Sequence, residues 1–561
     1  MRKHMRQYYQ LKPLVEPNFQ QWDEVIARIL ANRGLSLCSE LSAELRDILP
    51  LHHFKYIRPA AELIANAVMQ QKRICISGDY DVDGATSCVI MVDFLRKIGA
   101  NVTFIVPNRR IHGYGISSML IDEMGEVDLI ITVDNGINAV EACAYAKQRG
   151  VQIVITDHHL PGVKLPDADV IVNPSCPDEV FPDRSIAGVA VAWYVMAALR
   201  SELEQRNYFL QKAKPNMAEY LDLVALGTVA DCVALSQLNR AFVVQGLRRM
   251  NTKPRVGIQA LLNVAKKEVG YVNAQDLGFA LGPRLNAAGR LTDMRAGIFL
   301  LLEQDEQKAF TLAQNLDELN RSRRDIERQA LNSIEELDAS AKGIVVYDPT
   351  WHEGVIGLIA SRVKERMQLP VIALTQDDQG FLKGSARSIC GVHIRDILAT
   401  MDQQLPGMIL KFGGHAMAAG LSLNPDCLHE FKRMFAHHTA LSIENQGLQG
   451  DLYYDFELTE NSLTLDFAKQ LSELTPWGME MKEPVFKGVF KVASVSRYES
   501  GFLKMNLQFN RLSLAAVAFG LEELITEGDV LECYYSIHVN RFRGQESLQL
   551  LVRDVMVGEC A

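Results

Sequence analysis

Short apolar runs alternate with longer amphipathic stretches through the first half of the chain. The apolar runs have the length of buried strands and lie at Lys72–Ser77, Val102–Val106, Leu129–Val133, Ile153–Thr156 and Val170–Val172. The stretches between them carry apolar residues at helical spacing and lie at Ala85–Ile98, Ile116–Glu123 and Ala139–Gln148. Strands that alternate with helices are typical of a doubly wound parallel sheet. The pattern therefore predicts an α/β domain over residues 61–235, preceded by a helical segment over residues 1–60.

Helical patterns dominate the middle of the chain. Two almost wholly apolar stretches, Ala187–Leu199 and Tyr220–Val229, have the composition of buried helices. Residues 304–337 are polar and lack Gly and Pro, and apolar residues such as Leu312, Leu316 and Ile326 recur in them at helical spacing. We therefore expect a helical connector over residues 236–340 that contains one long interdomain helix.

Two further domains follow from the pattern of the second half. Residues 341–447 contain strand candidates at 343–347, at Val371–Leu374 and around Ser385, which predict a second α/β domain with a glycine-rich turn at Phe412–Gly420. Residues 448–561 alternate short β-rich runs with turns, and a small barrel of the OB type fits that pattern. The runs that indicate the barrel are Val485–Val495, Leu503–Leu507, Ser513–Phe519 and Val530–His538.

Composition narrows the class of protein. At 561 residues, with 48% hydrophobic and 22% charged residues, the chain has the composition of a soluble globular protein of three or four domains. The net charge of −10 argues mildly against a large surface that coats nucleic acid, but a local basic channel is compatible with it. The ten cysteines form no CxxC pair, and Cys75, Cys88 and Cys232 lie in apolar runs, so we expect buried thiols. The N-terminus has no apolar segment of signal or membrane-spanning length, which predicts a cytoplasmic protein without membrane attachment.

The first candidate functional residues directly follow the first apolar run. Asp79-Tyr80-Asp81-Val82-Asp83-Gly84 places three carboxylates at alternate positions directly after that run. Their mutual repulsion needs a counter-charge, which a hard divalent cation bound through oxygen supplies. An exposed acidic turn is the alternative interpretation of this motif taken alone.

Two more predicted strands end in side chains that bind metals. Asp134 and Asn135 follow one strand, and Asp157-His158-His159 follows the next. Because the carboxyl ends of parallel strands open into one crevice, these residues should converge on a metal site. Asp231 closes an apolar segment, where a carboxylate is unfavourable unless it is paired or bound to metal. Oxygen ligands with one or two imidazoles and no thiolate favour Mn²⁺ or Mg²⁺ over a structural zinc.

Taken in order, the motifs of the chain resemble those of the DHH phosphoesterase superfamily, and in spacing those of its RecJ branch. The motifs that carry the resemblance are Asp79–Gly84, Pro107-Asn108-Arg109, Val133–Gly136, Asp157-His158-His159 and Gly413-Gly414-His415. The resemblance covers nearly the whole chain. It implies a DHH domain, a linking helix, a DHHA1 domain and a C-terminal OB domain.

The resemblance implies roles for individual residues at the metal site. It identifies as metal ligands Asp81, Asp83, Asp134, His158 and Asp231, with Asp134 as the carboxylate that bridges two ions. Asp79 stands where many relatives have a histidine, and it ligates either directly or through water. His159 is expected beside the scissile phosphate, and orientation of a carboxylate is its alternative role. With Asp134 and Arg109, His159 makes up the expected catalytic set.

A phosphodiester substrate also requires positive charge from the protein. The expected nucleic-acid contacts in the DHH domain are Arg109, Arg110 and His112. Arg284 and Arg290 lie in an arginine-bearing turn that the family shares, although ion pairs at a domain boundary explain them equally well. In the second α/β domain, the terminal 5′ phosphate is expected to contact Ser385, Arg387, Gly413, Gly414 and His415. A tight turn between packed elements is the alternative role of the two glycines.

The function that the resemblance implies is a 5′→3′ exonuclease specific for single-stranded DNA. It would release 5′-mononucleotides by hydrolysis with two divalent ions, Mn²⁺ or Mg²⁺, in DNA repair and recombination. Single-stranded DNA is then the substrate partner, with a single-strand-binding protein and a repair helicase as candidate protein partners. The main alternative is a DHH phosphodiesterase that acts on short oligonucleotides or cyclic dinucleotides, whose relatives usually lack the barrel. A non-catalytic scaffold for a replication complex is a further alternative, but such relatives lose ligand residues that this chain keeps.

Overall fold

The computed structural model describes residues 8–20, 22–109, 111–334, 342–445, 452–498, 502–521 and 524–557. These residues form two compact units. The larger unit contains residues 8–289, 293–316 and 453–557, and the smaller one contains residues 290–292 and 317–452. In the described part of the chain, no helix is long and apolar enough to cross a membrane.

The N-terminal region combines helices with one short strand that the sequence did not predict. Its elements are β1 (Tyr8–Gln10), α1 (Glu24–Ala31), α2 (Cys38–Leu41) and α3 (Ile57–Met69), with single 3₁₀ turns at Leu45–Asp47 and Leu51–His53. Strand β1 pairs with β12 (Leu452–Tyr454) in a two-stranded sheet. The ring of Tyr8 stacks on that of Tyr534 with centroids 3.4 Å apart.

The next region is the parallel sheet that the alternating pattern predicted. Its strands are β2 (Ile74–Ser77), β3 (Val102–Ile105), β4 (Leu129–Val133), β5 (Gln152–Thr156) and β6 (Val170–Val172), and its first helices are α4 (Val82–Lys97), α5 (Ser118–Glu123) and α6 (Val140–Gln148). The strand order is β3-β2-β4-β5-β6, and every pairing is parallel. Ser77 is in register with Thr132, which brings the carboxyl ends of β2 and β4 side by side. In such sheets ligands bind at this point, where the strand order reverses.

Helices complete the α/β half of the larger unit and lead out of it. They are α7 (Gly188–Gln205), α8 (Leu221–Ala230), α9 (Gln237–Thr252), α10 (Val256–Val264), α11 (Ala274–Asp276), α12 (Gly282–Leu291), α13 (Arg295–Leu302) and α14 (Glu306–Asn332), with a 3₁₀ turn at Met217–Tyr220 and a π-helical turn at Leu277–Leu281. Helix α14 is the predicted long linking helix. Cys75 and Cys88 are buried as expected, but the prediction for Cys232 is wrong, because it lies exposed beyond the end of α8.

The smaller unit contains the second α/β fold. Its elements are β7 (Ile344–Tyr347), α15 (Glu353–Met367), β8 (Val371–Gln376), β9 (Leu382–Arg387), α16 (Ile394–Gln404), β10 (Ile409–Gly414), β11 (Ala418–Leu423), a 3₁₀ turn at Pro425–Cys427 and α17 (Leu428–Asn445). The sheet order is β10-β11-β9-β8-β7, parallel only between β7 and β8. The predicted glycine-rich turn is therefore the hairpin between β10 and β11.

The C-terminal region forms the predicted barrel. After β13 (Phe456–Glu457), a 3₁₀ turn at Glu460–Ser462 and α18 (Leu465–Leu474), its strands are β14 (Phe486–Arg497), β15 (Phe502–Phe509), β16 (Leu512–Phe519), β17 (Val530–Phe542) and β18 (Gln545–Val557). The order is β14-β15-β16-β18-β17, and pairing of β14 with β17 closes the ring. Each of these five described strands therefore has a neighbour on both sides, as closure into an OB-type barrel requires.

The barrel shares its hydrophobic core with the N-terminal helix. Ile26, Ile29 and Leu30 of α1 lie in the same buried cluster as Phe486 and Phe490 of β14. Beside this cluster, both oxygens of the buried carboxylate of Asp455 accept hydrogen bonds from the Arg33 guanidinium, at 2.7 and 3.2 Å. The barrel is therefore an integral part of the larger unit, and removing residues beyond 450 would expose the apolar side of α1.

We predict that Asp455→Asn destabilises the larger unit by about 3 kcal/mol, because it leaves the buried Arg33 guanidinium without its counter-charge. Urea unfolding followed by tryptophan fluorescence measures the change, since the ring of Trp477 lies 5.4 Å from that guanidinium. Glu24→Gln, which removes an exposed ion pair with Arg28, is the matched control and should leave the midpoint unchanged. Equal midpoints for Asp455→Asn and the wild type would contradict the prediction.

Candidate metal centre

The loop after β2 is shaped by its own carboxylates. Asp81 caps α4, and its Oδ1 accepts a hydrogen bond from the Gly84 amide at 3.0 Å. The buried Asp79 folds back so that its Oδ1 accepts from the Tyr80 amide at 2.8 Å. A Cβ atom at position 84 would lie 2.6 Å from the Asp79 Cβ, so only glycine allows this close turn. The sequence Asp79–Gly84 thus directs both acids toward one point.

Asp83 joins this loop to the N-terminus of α7. Its two oxygens accept hydrogen bonds from the Gly188 and Val189 amides at 2.7 and 2.8 Å, where unpaired helix amides favour an anion. Small residues leave room for the carboxylates. A Cβ at Gly188 would lie 2.7 Å from Asp134 Oδ1, and one at Gly227 would lie 2.9 Å from Asp83 Oδ1. Two glycines on α7 and α8 therefore permit the acids to crowd together.

Asp134 follows β4 in a left-handed backbone conformation, with φ of 60°. This conformation is unusual outside glycine and is tolerated best by Asp and Asn. The next residue, Asn135, holds the turn by donating from Nδ2 to the Ser77 and Val133 carbonyls at 3.1 and 2.8 Å. Gly136, at φ of 111°, continues the turn. The carboxylate of Asp134 is consequently aimed into the crevice between β2 and β4.

In the Asp157-His158-His159 segment, Asp157 supports the loop, whereas His158 faces the acidic cluster. The buried Asp157 accepts hydrogen bonds at Oδ1 from the His158 amide and from His159 Nδ1, both at 2.7 Å, and at Oδ2 from the Ile137 amide at 2.9 Å. Asp157 is therefore an anchor of the loop. His158 Nε2 instead lies 3.2 Å from Asp134 Oδ1 and 3.5 Å from Asp231 Oδ2.

The predicted ligands converge. Three overlapping sets of side chains each bring their ligand atoms within 4.8 Å of one another. The first set is Asp79, Asp81 and Asp134, the second is Asp83, His158 and Asp231, and the third is Asp134, His158 and His159. Asp134 belongs to two of these sets, as does His158. Because the sets share Asp134 and His158, the arrangement can hold a metal ion at more than one point.

Burial and crowding make ionisation of this cluster unfavourable. Burial, followed by the charges of neighbouring carboxylates, raises the pKa of Asp79, Asp134 and Asp231 well above the usual range. The same causes raise the pKa of Asp83 to about 7, against the opposing effect of its two amide donors. Burial also opposes ionisation of Asp157, but the hydrogen bond and charge of His159 outweigh it and lower its pKa. In His159, burial is outweighed by Asp157 and the acids around it, so its pKa rises to about 9.

The residues present fit a divalent cation. Within the described ranges, no lysine or arginine forms an ion pair with Asp79, Asp81, Asp83, Asp134 or Asp231. The repulsion among these buried and half-buried acids must therefore be relieved by protons or by a cation. Carboxylate oxygens with imidazole and no thiolate are donors suited to Mn²⁺ and Mg²⁺.

The basic residues predicted to contact nucleic acid differ in what they contact in the structure. The Arg109 guanidinium lies 5.5 Å from the centroid of the Tyr80 ring, beside the acidic loop. Arg110 lies outside the described residues. His112 has both ring nitrogens engaged, one by the Asn108 amide at 2.9 Å and the other by Glu123 at 2.9 Å. Arg284 donates to the Ala280 carbonyl at 2.7 Å within the larger unit.

The predicted phosphate contacts of the smaller unit lie close to one another. Adjacent strands align Ser385 with Gly420 and Gly420 with Gly413. Arg387 Nη1 donates to Ser385 Oγ at 3.0 Å, and a Cβ at Gly357 would lie 3.0 Å from Arg387 Nη2. Gly414 has φ of 140°, and the His415 amide donates to the Ala418 carbonyl, as the hairpin requires. In the same unit, Arg290 Nη1 lies 3.5 Å from the Gly354 carbonyl.

Several supporting residues were not singled out from the sequence. Asn286 Oδ1 accepts a hydrogen bond from the Val82 amide at 3.2 Å, so α12 supports the first turn of α4. Gly289 faces the Tyr80 carbonyl, since a Cβ there would lie 2.0 Å from it. Both belong to Gly282–Arg290, and the expectation of a turn there is wrong, because these residues lie in α12. The glycines and the asparagine of this segment were the sequence signal of close packing.

Comparison with known proteins agrees with this geometry. Residues 73–228 match the DHH family N-terminal domain, residues 340–438 the DHHA1 domain, and residues 454–554 the RecJ OB domain. A single-stranded-DNA-specific exonuclease RecJ of Dickeya dadantii is 44% identical over 547 residues, covering 94% of this chain and 95% of that protein.

Solved RecJ structures with bound metals are also similar. RecJ of Thermus thermophilus in complex with Mn²⁺ has a TM-score of 0.81 at 28% identity, over 100% of this chain and 81% of that one. Its complex with Mg²⁺ has a TM-score of 0.75 at 27% identity, over 99% and 79% of the two chains. The ions in these structures are the two that the donor set of this chain favours.

Fold and site together define a hydrolytic nuclease of the DHH phosphoesterase class, with a DHHA1 domain and an OB barrel. More specifically, the chain belongs to the RecJ family of single-stranded-DNA-specific exonucleases.

We predict that Gly227→Ala weakens Mn²⁺ binding at least about 10-fold, because the added methyl group would displace Asp83 and Thr86. Calorimetric titration with Mn²⁺ measures the affinity. Gly278→Ala is the matched control, since its Cβ would make only an ordinary 3.5 Å contact with Val229. The same affinity in the two variants would show that Gly227 does not shape the site.

Proposed function

We propose that this enzyme degrades single-stranded DNA from the 5′ end and releases 5′-mononucleotides with two divalent ions. The observation that carries the proposal is the set of buried acids and histidines at the ends of β2, β4 and β5, with Asp134 common to two ligand groups. The family relatives are named as single-stranded-DNA-specific exonucleases, which supports the substrate.

The protein side of the chemistry follows from the donor geometry. When bound, divalent ions would neutralise phosphate oxygens and lower the pKa of a coordinated water. The residues that would hold them are Asp79, Asp81, Asp83, Asp134, His158 and Asp231. Asp83 is fixed by the amides of α7, and Asp81 by its cap on α4, so the cage is preorganised.

His159 is proposed to act on the substrate phosphate. Its Nδ1 is held by Asp157 at 2.7 Å, which directs Nε2 away from that carboxylate. A cationic imidazole held there would offset the negative charge of a nearby phosphate through space. Arg109 beside Tyr80 would add a second positive group for the strand, and Arg110, His112, Arg284 and Arg290 are proposed strand contacts.

The smaller unit is proposed to bind the terminal 5′ phosphate. Ser385 Oγ and the Arg387 guanidinium lie together in front of Gly357, which has no side chain to occlude them. The open side of Gly413, where a Cβ would have no neighbour within 4 Å, and His415 on the same hairpin would complete the pocket. Arginine suits this role because its planar fork matches phosphate oxygens.

The cellular setting proposed is the cytoplasm, with DNA repair and recombination as the process. A single-strand-binding protein and a repair helicase are the proposed partners. The helicase would unwind duplex DNA, and the binding protein would keep the substrate single-stranded. The alternative of a phosphodiesterase for short oligonucleotides or cyclic dinucleotides is less well supported, because residues 454–554 match the RecJ OB domain.

We predict that Asp134→Ala abolishes hydrolysis without unfolding the protein, because this carboxylate belongs to two of the three ligand sets. Degradation of a labelled single strand in Mn²⁺ measures activity, and circular dichroism measures folding. Asp167→Ala, which removes an exposed partner of Lys147 in the same domain, should keep full activity. Near-normal turnover by folded Asp134→Ala would refute the two-ion proposal.

We predict that Arg387→Ala raises KM for 5′-phosphorylated strands and narrows their advantage over 5′-hydroxyl strands, since it removes a bidentate phosphate donor. Strands labelled at either end report the polarity, and label should leave the 5′ end first. Arg395→Ala, an exposed position on α16 of the same unit, is the matched control. Early loss of 3′ label, or cleavage of circular strands, would overturn end recognition by this pocket.

A further inference from the structure

Tyr114 is displayed toward the metal centre by a short Gly-Tyr-Gly segment. Gly113 and Gly115 flank it with φ of 76° and 70°, a left-handed conformation that glycine adopts without strain. The segment is tied down by the Ile116 amide, which donates to Asn135 Oδ1 at 3.2 Å. Asn135 is the same residue that holds the turn carrying Asp134. The position of Tyr114 is therefore built into the scaffold of the site.

The two ends of the Tyr114 side chain have different surroundings. Its hydroxyl lies 3.3 Å from His159 Nε2 and 3.4 Å from the Asp134 carbonyl oxygen. Its ring meets those of Tyr80 and His159 edge to face, each at a centroid distance of 6.0 Å. The residue as a whole is 54% exposed. A half-exposed tyrosine whose hydroxyl contacts His159 and the Asp134 backbone does not serve to fill the core.

We propose that Tyr114 is a positioning residue for the reaction, which holds the imidazole of His159 from the side opposite Asp157. The proposal rests on the function proposed above, in which His159 acts on the phosphate. A contact from Asp157 Oδ1 to Nδ1 at 2.7 Å would by itself let the ring tilt, and the tyrosine hydroxyl at Nε2 supplies a second contact. Contacts at both ring nitrogens restrict the imidazole more than the Asp157 contact does alone.

A tyrosine hydroxyl suits this position because it both donates and accepts. The hydroxyl reaches His159 Nε2 and the Asp134 carbonyl oxygen together, at 3.3 and 3.4 Å, and so links the imidazole to the turn that carries Asp134.

The experiment is a double-mutant cycle on single-stranded DNA in Mn²⁺. Tyr114→Phe keeps the ring and should lower kcat about 10-fold with KM unchanged, as for loss of other orienting hydrogen bonds. In a His159→Ala background the same change should have no further effect, because the hydroxyl then has no imidazole to hold. Tyr145→Phe removes a surface hydrogen bond to Asp122 in the same domain and should match the wild type.

A readout independent of turnover comes from ¹⁵N spectra of histidine-labelled protein without metal, with His159→Ala assigning the signal. Tyr114→Phe should shift the Nε2 resonance of His159, whereas Tyr145→Phe should not. An unshifted resonance, wild-type kcat in Tyr114→Phe, or independent effects of the two substitutions would overturn the inference. Wild-type activity in His159→Ala would instead refute the role proposed for His159, which separates the two failures.

Discussion

Repulsion among buried carboxylates is the constraint on which the rest of the catalytic domain depends. Asp79, Asp83, Asp134 and Asp231 are brought together where ionisation is unfavourable, and no described lysine or arginine pairs with them. Such a cluster persists only if the packing and hydrogen bonds around it outweigh the repulsion between its carboxylates. A bound cation is attracted by all of these carboxylates, so the same crowding then contributes to the affinity for metal.

The fold meets this constraint with backbone groups. Asp83 is held by amides at the start of α7, Asp81 caps α4, and the turn around Asp134 is held by Asn135. Glycines at positions 84, 188 and 227 remove the methyl groups that would separate the acids. Because these supports lie in regular elements packed on the sheet, the ligand geometry is set before any ion arrives.

Much of this architecture could be predicted from residue order, and the remainder could not for identifiable reasons. The strands at Leu129–Val133 and Val170–Val172 were placed correctly because the runs are short and rich in β-branched residues. The strand at Tyr8–Gln10 was missed, since its stability comes from pairing with Leu452–Tyr454, far away in the sequence. The exposure of Cys232 was missed because hydrophobic neighbours in sequence do not reveal where a helix ends. Within the site, motif order indicated which acids to consider, whereas the anchoring role of Asp157 and the inward hydroxyl of Tyr114 depend on contacts between separate loops.

The core shared by α1 and the barrel has a consequence for how the protein is made. Residues 24–31 emerge from the ribosome early, yet most of the buried cluster that they join lies in residues 458–555. During synthesis, Ile26, Ile29 and Leu30 must therefore wait for most of their core partners until both α/β domains and the linking helix have been added. Contacts of such long sequence separation form slowly, and exposed apolar surface favours aggregation in the meantime. The larger unit therefore completes its folding only after the barrel has been released, and nascent chains should depend on chaperones more than the compact native enzyme suggests.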